Sequence, residues 1–286
     1  MKDIKNIGVI GAGMMGSEIA LSFAINGYRV ALKDETLELA ARGKENLTKS
    51  LGKHIKKGKV TEADGAKILD AITPVGNYEE LRDTDFVIEA VFENLEVKQA
   101  VWGALDEVCP SDCIFASNTS SISITRLATS VKKERLGQFL GAHFFSPASI
   151  MKLVEVIPGL DTTDETVQAV MDLMRKIGKE PIRVKDVVGF AVNRIFHAML
   201  IGACRLLEEE VATPEDIDKA CKLGLGHPMG PYALMDVLNN KLNLEVQEIL
   251  FESYGERFRP RPNLKQRVSA NHLGRATGRG WFDYSK

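Results

Sequence analysis

Residues 7–16 read Ile7-Gly8-Val9-Ile10-Gly11-Ala12-Gly13-Met14-Met15-Gly16. A short apolar run, the signature of a buried strand, opens directly into a G-x-G-x-x-G turn. From Met14 to Asn26 the chain reads as a helix that stops at Gly27, the residue type that closes helices. A lone G-x-G-x-x-G is weak, but one that leaves a strand and opens a helix stands in the context of dinucleotide binding. Gly11 permits the tight turn, Gly13 lets the backbone approach a pyrophosphate, and Gly16 lets helix and strand pack closely. The pyrophosphate is expected at the positive helix N-terminus, with Met15 counted among the residues around it. The plain alternative is a glycine turn that only allows close packing.

Outward from this turn, Tyr28 to Leu32 reads as a second strand. Asp34 follows it, 23 residues after Gly11, where an acid is expected to accept hydrogen bonds from an adenosine ribose. Its charge would repel a 2′-phosphate, which favours NAD over NADP; Lys33 beside it argues the other way. Residues 36–57 read as one long helix. Phe86 to Val91, Ile114 to Ala116 and Leu140 to Phe145 read as further strands. Strands that alternate with helices imply a parallel α/β sheet. From Val188 on, long amphipathic helical patterns replace strands, with Asn193 to Glu210 nearly continuous. The fold class expected is α/β: a Rossmann-type, mostly parallel sheet domain over 1–186, then an all-helical domain over 187–286.

The chain has 286 residues, 44% apolar and 27% charged, with a formal net charge of -2. That suits a globular protein of about two domains and gives no global electrostatic reason to bind nucleic acid or a membrane surface. No apolar run approaches the roughly 18 residues that span a bilayer, and the N-terminus lacks a secretory apolar region. A soluble, cytoplasmic protein is the expectation. Cys109, Cys113, Cys204 and Cys221 are too few for a disulfide scaffold and lack zinc-site spacing, so no metal is expected. His54, His197, His227 and His272 read as surface or structural. The basic, proline-containing run Arg257 to Arg267 reads as an exposed loop.

Further motifs lie along the chain. They are Ser117-Asn118-Thr119-Ser120-Ser121, His143-Phe144-Phe145-Ser146-Pro147, Met151-Lys152-Leu153-Val154-Glu155-Val156, Val192-Asn193-Arg194 and His227-Pro228-Met229-Gly230-Pro231. In this order and spacing the sequence resembles the short-chain L-3-hydroxyacyl-CoA dehydrogenases over essentially its whole length. The resemblance implies NAD-dependent interconversion of 3-hydroxyacyl-CoA and 3-ketoacyl-CoA, an acyl-CoA substrate, and a homodimer formed through the helical domain. It implies a catalytic pair at His143 and Glu155. A histidine suits the hydroxyl proton because its ordinary pKa lies near working pH, and a carboxylate on the other ring nitrogen orients it. It also implies that Ser120 bonds near substrate and nicotinamide, and that Asn193 stands near the substrate, with a helix cap as its plain alternative. Glu93, Lys98 and Ser146 would contact cofactor, and Ser50 and Lys57 coenzyme A. Lys57, with Lys53, Lys56 and Lys59, could equally be a solvated helix end.

Three departures stand out. Ser146 replaces an asparagine expected after His-Phe-Phe. In P-M-G-P-x-E-L-x-D-x-x-G-L-D, the glutamate is Ala233 and Gly-Leu-Asp gives way to Asn239-Asn240-Lys241. A C-terminal lysine is Ala276. The hydride-transfer residues are intact while substrate-side positions differ, so the pocket is expected to accept something other than the shortest linear acyl group. Two rival readings are a dehydrogenase of a free hydroxy acid on the same fold, and a non-catalytic dinucleotide-binding protein.

Overall fold

A strand with helices on both faces must be apolar along its length. Asn6–Ile10 meets this requirement, with Ile7, Gly8, Val9 and Ile10 all buried. The structure, a computed structural model, describes residues 4–56, 58 and 60–285, the side chains at 53 and 54 excepted. The chain divides into two compact units, Met1–Val187 and Val188–Lys286.

The first unit runs β1 (Asn6–Ile10), α1 (Met14–Ile25), β2 (Arg29–Lys33), α2 (Leu37–Lys56), α3 (Glu62–Asp70), β3 (Ile72–Val75), β4 (Phe86–Glu89) and α4 (Leu95–Val108). It continues with β5 (Ile114–Ser117), α5 (Ile124–Ala128), β6 (Phe139–Phe144), β7 (Leu153–Pro158), α6 (Asp164–Lys176) and β8 (Glu180–Arg183). Among the described residues these strands form one eight-stranded sheet, in the order β3-β2-β1-β4-β5-β6-β7-β8. Every neighbouring pair is parallel except β6 with β7. Strand order reverses between β1 and β4, the switch point at which open α/β sheets leave a crevice beyond the strand carboxyl ends. The glycine turn follows β1 at that point.

Three strands escape the sequence reading. β3 and β8 lie at the sheet edges, are short, and carry Pro74 and Pro181; an edge tolerates proline because no neighbour needs its N–H. β7 holds Leu153 to Ile157 with Glu155 in its middle. Only pairing with β6 reveals it as a strand.

The second unit holds α7 (Val192–Glu208), α8 (Pro214–Gly224), α9 (Pro231–Leu238), α10 (Asn240–Tyr254) and α11 (Pro262–Ser269). Leu200, Cys204, Ile217, Tyr232, Met235, Leu264 and Trp281 form its core. The stretch expected as a loop, Arg257 to Arg267, is instead a 3-10 turn ending at Phe258 followed by most of α11. Pro262 starts that helix, where its missing N–H is not needed. Leu264 is buried, Val268 packs beside it one turn later, and Arg261 pairs with Glu208. The apolar pair decides the structure; Arg257, Arg259 and Lys265 are exposed, whereas Arg267 lies over the Trp281 ring, 4.0 Å from its centroid.

Asp236 joins α9 to the end of the chain. Its Oδ1 accepts from Asn240 Nδ2 and Trp281 N, both at 2.9 Å; its Oδ2 accepts from Phe282 N at 3.0 Å and Tyr284 OH at 3.1 Å. A buried carboxylate without such donors would cost several kcal/mol. Asn239, where glycine was expected, has φ 91° and ψ 119°, a backbone region that favours glycine. Its side chain accepts from Lys241 N at 2.9 Å and so caps α10.

Candidate active site

The glycine turn is built from two steric demands and one open space. Gly11 has φ +95°, and a Cβ there would lie 2.7 Å from Ala90 O. A Cβ on Gly16 would lie 1.8 Å from Gly11 O, whereas one on Gly13 meets nothing within 4 Å. The first and third glycines are therefore required by packing, and the second faces open space at the start of α1. Gly13 is the N-cap of α1, with no side-chain cap and no acid in the first turn. The helix N–H groups are left for an anion, and the residues present fit a dinucleotide. Met15 packs against the core.

Asp34 lies just past β2. Its Oδ2 accepts from Ala12 N at 2.5 Å and its Oδ1 from Glu35 N at 2.7 Å. The carboxylate thus ties β2 to the turn and keeps lone pairs for a ribose. Lys33, whose charge argued against NAD, donates from Nζ to Asp34 O at 2.8 Å and lies 4.4 Å from the Tyr78 ring centroid. Burial lowers its pKa. Gly43 of α2 was not foreseen: a Cβ there would meet Ala12 Cβ and Ala12 O at 2.6 Å, so α2 rests on the turn. A cleft of about 360 Å³ beside the turn is lined by Gly13, Ser17, Glu18 and Ser50 among others. Ser50 Oγ donates to Glu18 Oε1 at 2.5 Å. Lys57 lies outside the described residues.

The antiparallel register of β6 and β7 sets His143 directly opposite Glu155. Directly opposed residues share a face of the sheet. His143 Nδ1 lies 2.8 Å from Glu155 Oε2, and His143 Nε2 lies 3.0 Å from Ser120 Oγ. The carboxylate can only accept, so Nδ1 carries the ring proton and Nε2 accepts from the Ser120 hydroxyl. Glu155 is fully buried, His143 is 5% exposed, and the Phe145 ring packs 4.6 Å from the imidazole. Low local dielectric strengthens hydrogen bonds in such a chain. Ser120, His143 and Glu155 therefore form one continuous chain of hydrogen bonds through the imidazole. Ser146 is exposed just beyond Phe145.

The segment that carries Ser120 is held from behind. Asn118 N donates to Glu89 O at 2.7 Å, and Phe144 N donates to Asn118 Oδ1 at 2.8 Å. Glu93 Oε1 accepts from Thr119 Oγ1 at 2.6 Å and from Ser120 N, Ser121 N and Ser121 Oγ, each at 2.9 Å. Burial pushes the Glu93 pKa up, but the Lys98 charge and these hydrogen bonds outweigh it and leave it lowered. Lys98 is fully buried, with Nζ 2.5 Å from Glu89 Oε1, 3.3 Å from Val91 O and 3.4 Å from Glu93 Oε2. Glu89 Oε2 accepts from Ser117 Oγ at 2.7 Å. Burial raises the Glu89 pKa against the pull of Lys98. The sequence reading missed Glu89, although an acid inside the apolar run Phe86 to Val91 is the kind of signal that marks a buried partner.

Asn193 is the second residue of α7 and half-buried; Ala191 caps that helix, so the capping alternative for Asn193 is not realised. His197 is buried, and burial pushes its pKa down to about 4. Cys109 and Cys113 are buried, each with its sulfur 3.7 Å from Thr84 Oγ1. Among the described residues no three His, Cys, Asp or Glu side chains cluster to hold a metal.

Comparison with known proteins places this geometry. Residues 6–187 match the family description "3-hydroxyacyl-CoA dehydrogenase, NAD binding domain", and residues 189–284 match "3-hydroxyacyl-CoA dehydrogenase, C-terminal domain". The chain is 42% identical over 281 residues to the 3-hydroxybutyryl-CoA dehydrogenase of Clostridioides difficile, covering 98% of this chain and 99% of that protein. It is 38% identical over 294 residues to the mitochondrial hydroxyacyl-coenzyme A dehydrogenase of Sus scrofa, covering 98% and 91%. The crystal structure of (S)-3-hydroxybutyryl-CoA dehydrogenase from Ralstonia eutropha is similar at a TM-score of 0.94 and 42% identity, covering 99% of this chain and all of that one.

Proposed function

The chain belongs to the 3-hydroxyacyl-CoA dehydrogenase family, and from that premise we propose that it interconverts a short-chain (S)-3-hydroxyacyl-CoA, of the 3-hydroxybutyryl-CoA kind, and the matching 3-ketoacyl-CoA with NAD. The observation that carries this reading is the Ser120–His143–Glu155 chain. Ser120 and His143 lie at the same end of the sheet as the glycine turn, the carboxyl end, because β1, β4, β5 and β6 run parallel.

NAD, when bound, supplies the hydride acceptor. In the oxidative direction His143 Nε2 takes the substrate hydroxyl proton, and Glu155 holds Nδ1–H and stabilises the imidazolium that results. Such acid–base help is typically worth about 10²- to 10⁴-fold. Ser120 orients the reacting oxygen, and Asn193 is assigned the same task by its match to the family. In the reductive direction His143 is the acid. Gly11, Gly13, Met15 and Gly16 form the pyrophosphate site, Asp34 takes the ribose, and Ser146 serves the nicotinamide end. Ser50 and Lys57 serve coenzyme A.

The test is purified protein with NADH and acetoacetyl-CoA, following loss of nicotinamide absorbance, with free acetoacetate in parallel. Turnover of the thioester alone supports the proposal. Turnover of the free acid would replace it with a free hydroxy-acid dehydrogenase. NADH binding without turnover on a broad panel would indicate a binding protein. A series of acyl lengths tests whether Ser146, Ala233 and Asn239 widen the pocket.

A homodimer is part of the proposal. Ile195 and Leu206 of α7 and Leu242 and Ile249 of α10 are exposed apolar side chains, and such surface is normally covered in an assembly. A monomeric mass in solution would remove it. No described helix is long and apolar enough to cross a membrane; a cytoplasmic location is proposed, and cell fractionation checks it.

A further inference from the structure

We propose that Glu18 is a positioning residue for the thioester half of the substrate: it takes the hydroxyl proton of Ser50 in a hydrogen bond, so that Ser50 meets coenzyme A as the acceptor of an amide N–H from the pantetheine arm. This rests on the dehydrogenase reading above. The family match gives Ser50 to coenzyme A; the carboxylate bonded to it belongs to α1.

Glu18 stands in the second turn of α1 and is half-buried. With Ser50 of α2 it lines the cleft of about 360 Å³ beside the glycine turn. A serine hydroxyl has one proton and two lone pairs. Ser50 Oγ donates that proton to Glu18 Oε1 at 2.5 Å, and a hydrogen bond to a carboxylate is of the strong kind. What Ser50 has left for a ligand is acceptor capacity. A phosphate oxygen placed there would face lone pairs and the Glu18 charge; an amide N–H would be satisfied. Coenzyme A carries phosphates at its nucleotide end and amide N–H groups along its pantetheine arm, so the arm is the part that fits. Lys49 lines the same cleft and supports the rival, a phosphate at this place.

The other oxygen of the carboxylate keeps it in place. Glu18 Oε2 accepts from Ser149 N at 3.3 Å, in the loop between β6 and β7. That loop is itself pinned: Lys179 Nζ donates to Ala148 O at 2.5 Å and to Met151 O at 2.9 Å, and Ser22 Oγ of α1 donates to Ala148 O at 3.2 Å. Burial lowers the Lys179 pKa, and the Glu18 charge opposes that fall. With Oε2 tied to the loop, Oε1 is held toward Ser50. Glu18 acts on the substrate through Ser50.

The experiment uses the full-length protein with NADH and two thioesters, acetoacetyl-CoA and acetoacetyl-pantetheine, which share the amides but not the phosphates. It compares Glu18→Ala, Ser50→Ala and the double variant. Glu18→Gln is a second probe, since one amide oxygen cannot serve both Ser50 and Ser149 N. Ser50→Ala and Glu18→Ala are each expected to raise KM by about tenfold, the size of one ordinary hydrogen bond, and equally for both thioesters. KM for NADH and kcat should hold, the pattern of a contact made alike in ground and transition states. The double variant should be no worse than Ser50→Ala, because residues acting through one partner are not additive.

A KM rise confined to acetoacetyl-CoA would place a phosphate at Ser50 and overturn the proposal. A raised KM for NADH would make Glu18 part of the cofactor site and overturn it too, as would additive losses or an unchanged KM in the Glu18 variants. If the wild-type protein turns over neither thioester, the reaction reading fails. Calorimetry with coenzyme A and with pantetheine then decides the contact: equal weakening of both by Glu18→Ala supports it, while weakening of coenzyme A alone, or pantetheine that does not bind, overturns it.

Discussion

Glu155→Gln keeps the shape of the buried side chain and removes its charge. In the native protein Glu155 Oε2 lies 2.8 Å from His143 Nδ1, fully buried. During turnover the imidazole becomes charged. The centres of a carboxylate and an imidazolium bonded in this way are about 4 Å apart, which at an effective dielectric near 20 gives about 4 kcal/mol. At about 1.4 kcal/mol per decade that is a rate loss of about 10³-fold. The glutamine can also offer its NH₂ to Nδ1, which would move the ring proton to Nε2 and leave no base facing the substrate. In the serine-protease triad a carboxylate-to-amide change of this kind costs about 10⁴-fold. The expected fall in kcat is therefore about 10³- to 10⁴-fold. The assay is NADH consumption with acetoacetyl-CoA, with NADH binding measured separately and expected to persist, because the glycine turn does not involve Glu155. A loss smaller than about tenfold in a folded variant that binds NADH would refute the charge-stabilising role.

Gly13→Ala should fold normally but bind NAD poorly, since a Cβ there meets only open space; Gly16→Ala should fail in thermal melts, since its Cβ would sit 1.8 Å from Gly11 O. Equal stability of the two variants would contradict this. Asp34→Ala should weaken NAD binding and narrow the preference over NADP, because it removes both the ribose acceptor and the bond to Ala12 N; an unchanged cofactor ratio would remove Asp34 from that role. His197 has its pKa pushed down to about 4 by burial, so the unfolded chain gains a proton near pH 6.5 that the folded chain refuses until about 4. Its stabilising contribution is complete above pH about 6.5 and is lost as pH falls toward 4, about 3 kcal/mol in all. In urea titrations across this range, His197→Leu should flatten the acid limb, and an unaltered limb would count against it. Asn239→Gly should stabilise the protein by about 1 kcal/mol, because relief of a strained backbone, about 1–3 kcal/mol, exceeds a cap loss of a few tenths; a lowered melting temperature would show that the cap dominates.

Local chemistry was legible and long-range pairing was not. The turn from Gly11 to Gly16 could be read in advance because its steric demands act between neighbours in sequence, as the Gly16–Gly11 contact shows. Asp34 was legible for a similar reason: β1, a helix and β2 form one unit of predictable length. β3 and β8 were missed because edge strands tolerate proline and exposure. Arg257 to Arg267 was misread because charge density hid Leu264, the buried residue that anchors α11.

His143 and Glu155 were picked out through their match to a known pattern. Their contact, however, comes from β6 and β7 being, among the described residues, the one antiparallel pair of strands in an otherwise parallel sheet. Register is set by which faces are buried across two strands, and no short window of sequence contains it. Glu89 is the clearest case. In sequence it is one acid in an apolar run. In the folded protein it meets Lys98 from α4 and Ser117 from β5. By itself the sequence determined the dinucleotide turn and the division into sheet and helical units, because each depends on local spacing; the proposed acid–base residues came instead from resemblance to a family pattern. Tertiary structure alone decided which acids pair with Lys98 and what holds the Ser120 backbone in place. Desolvation forces every buried charge to find partners, and those partners come from strands and helices far apart in the chain.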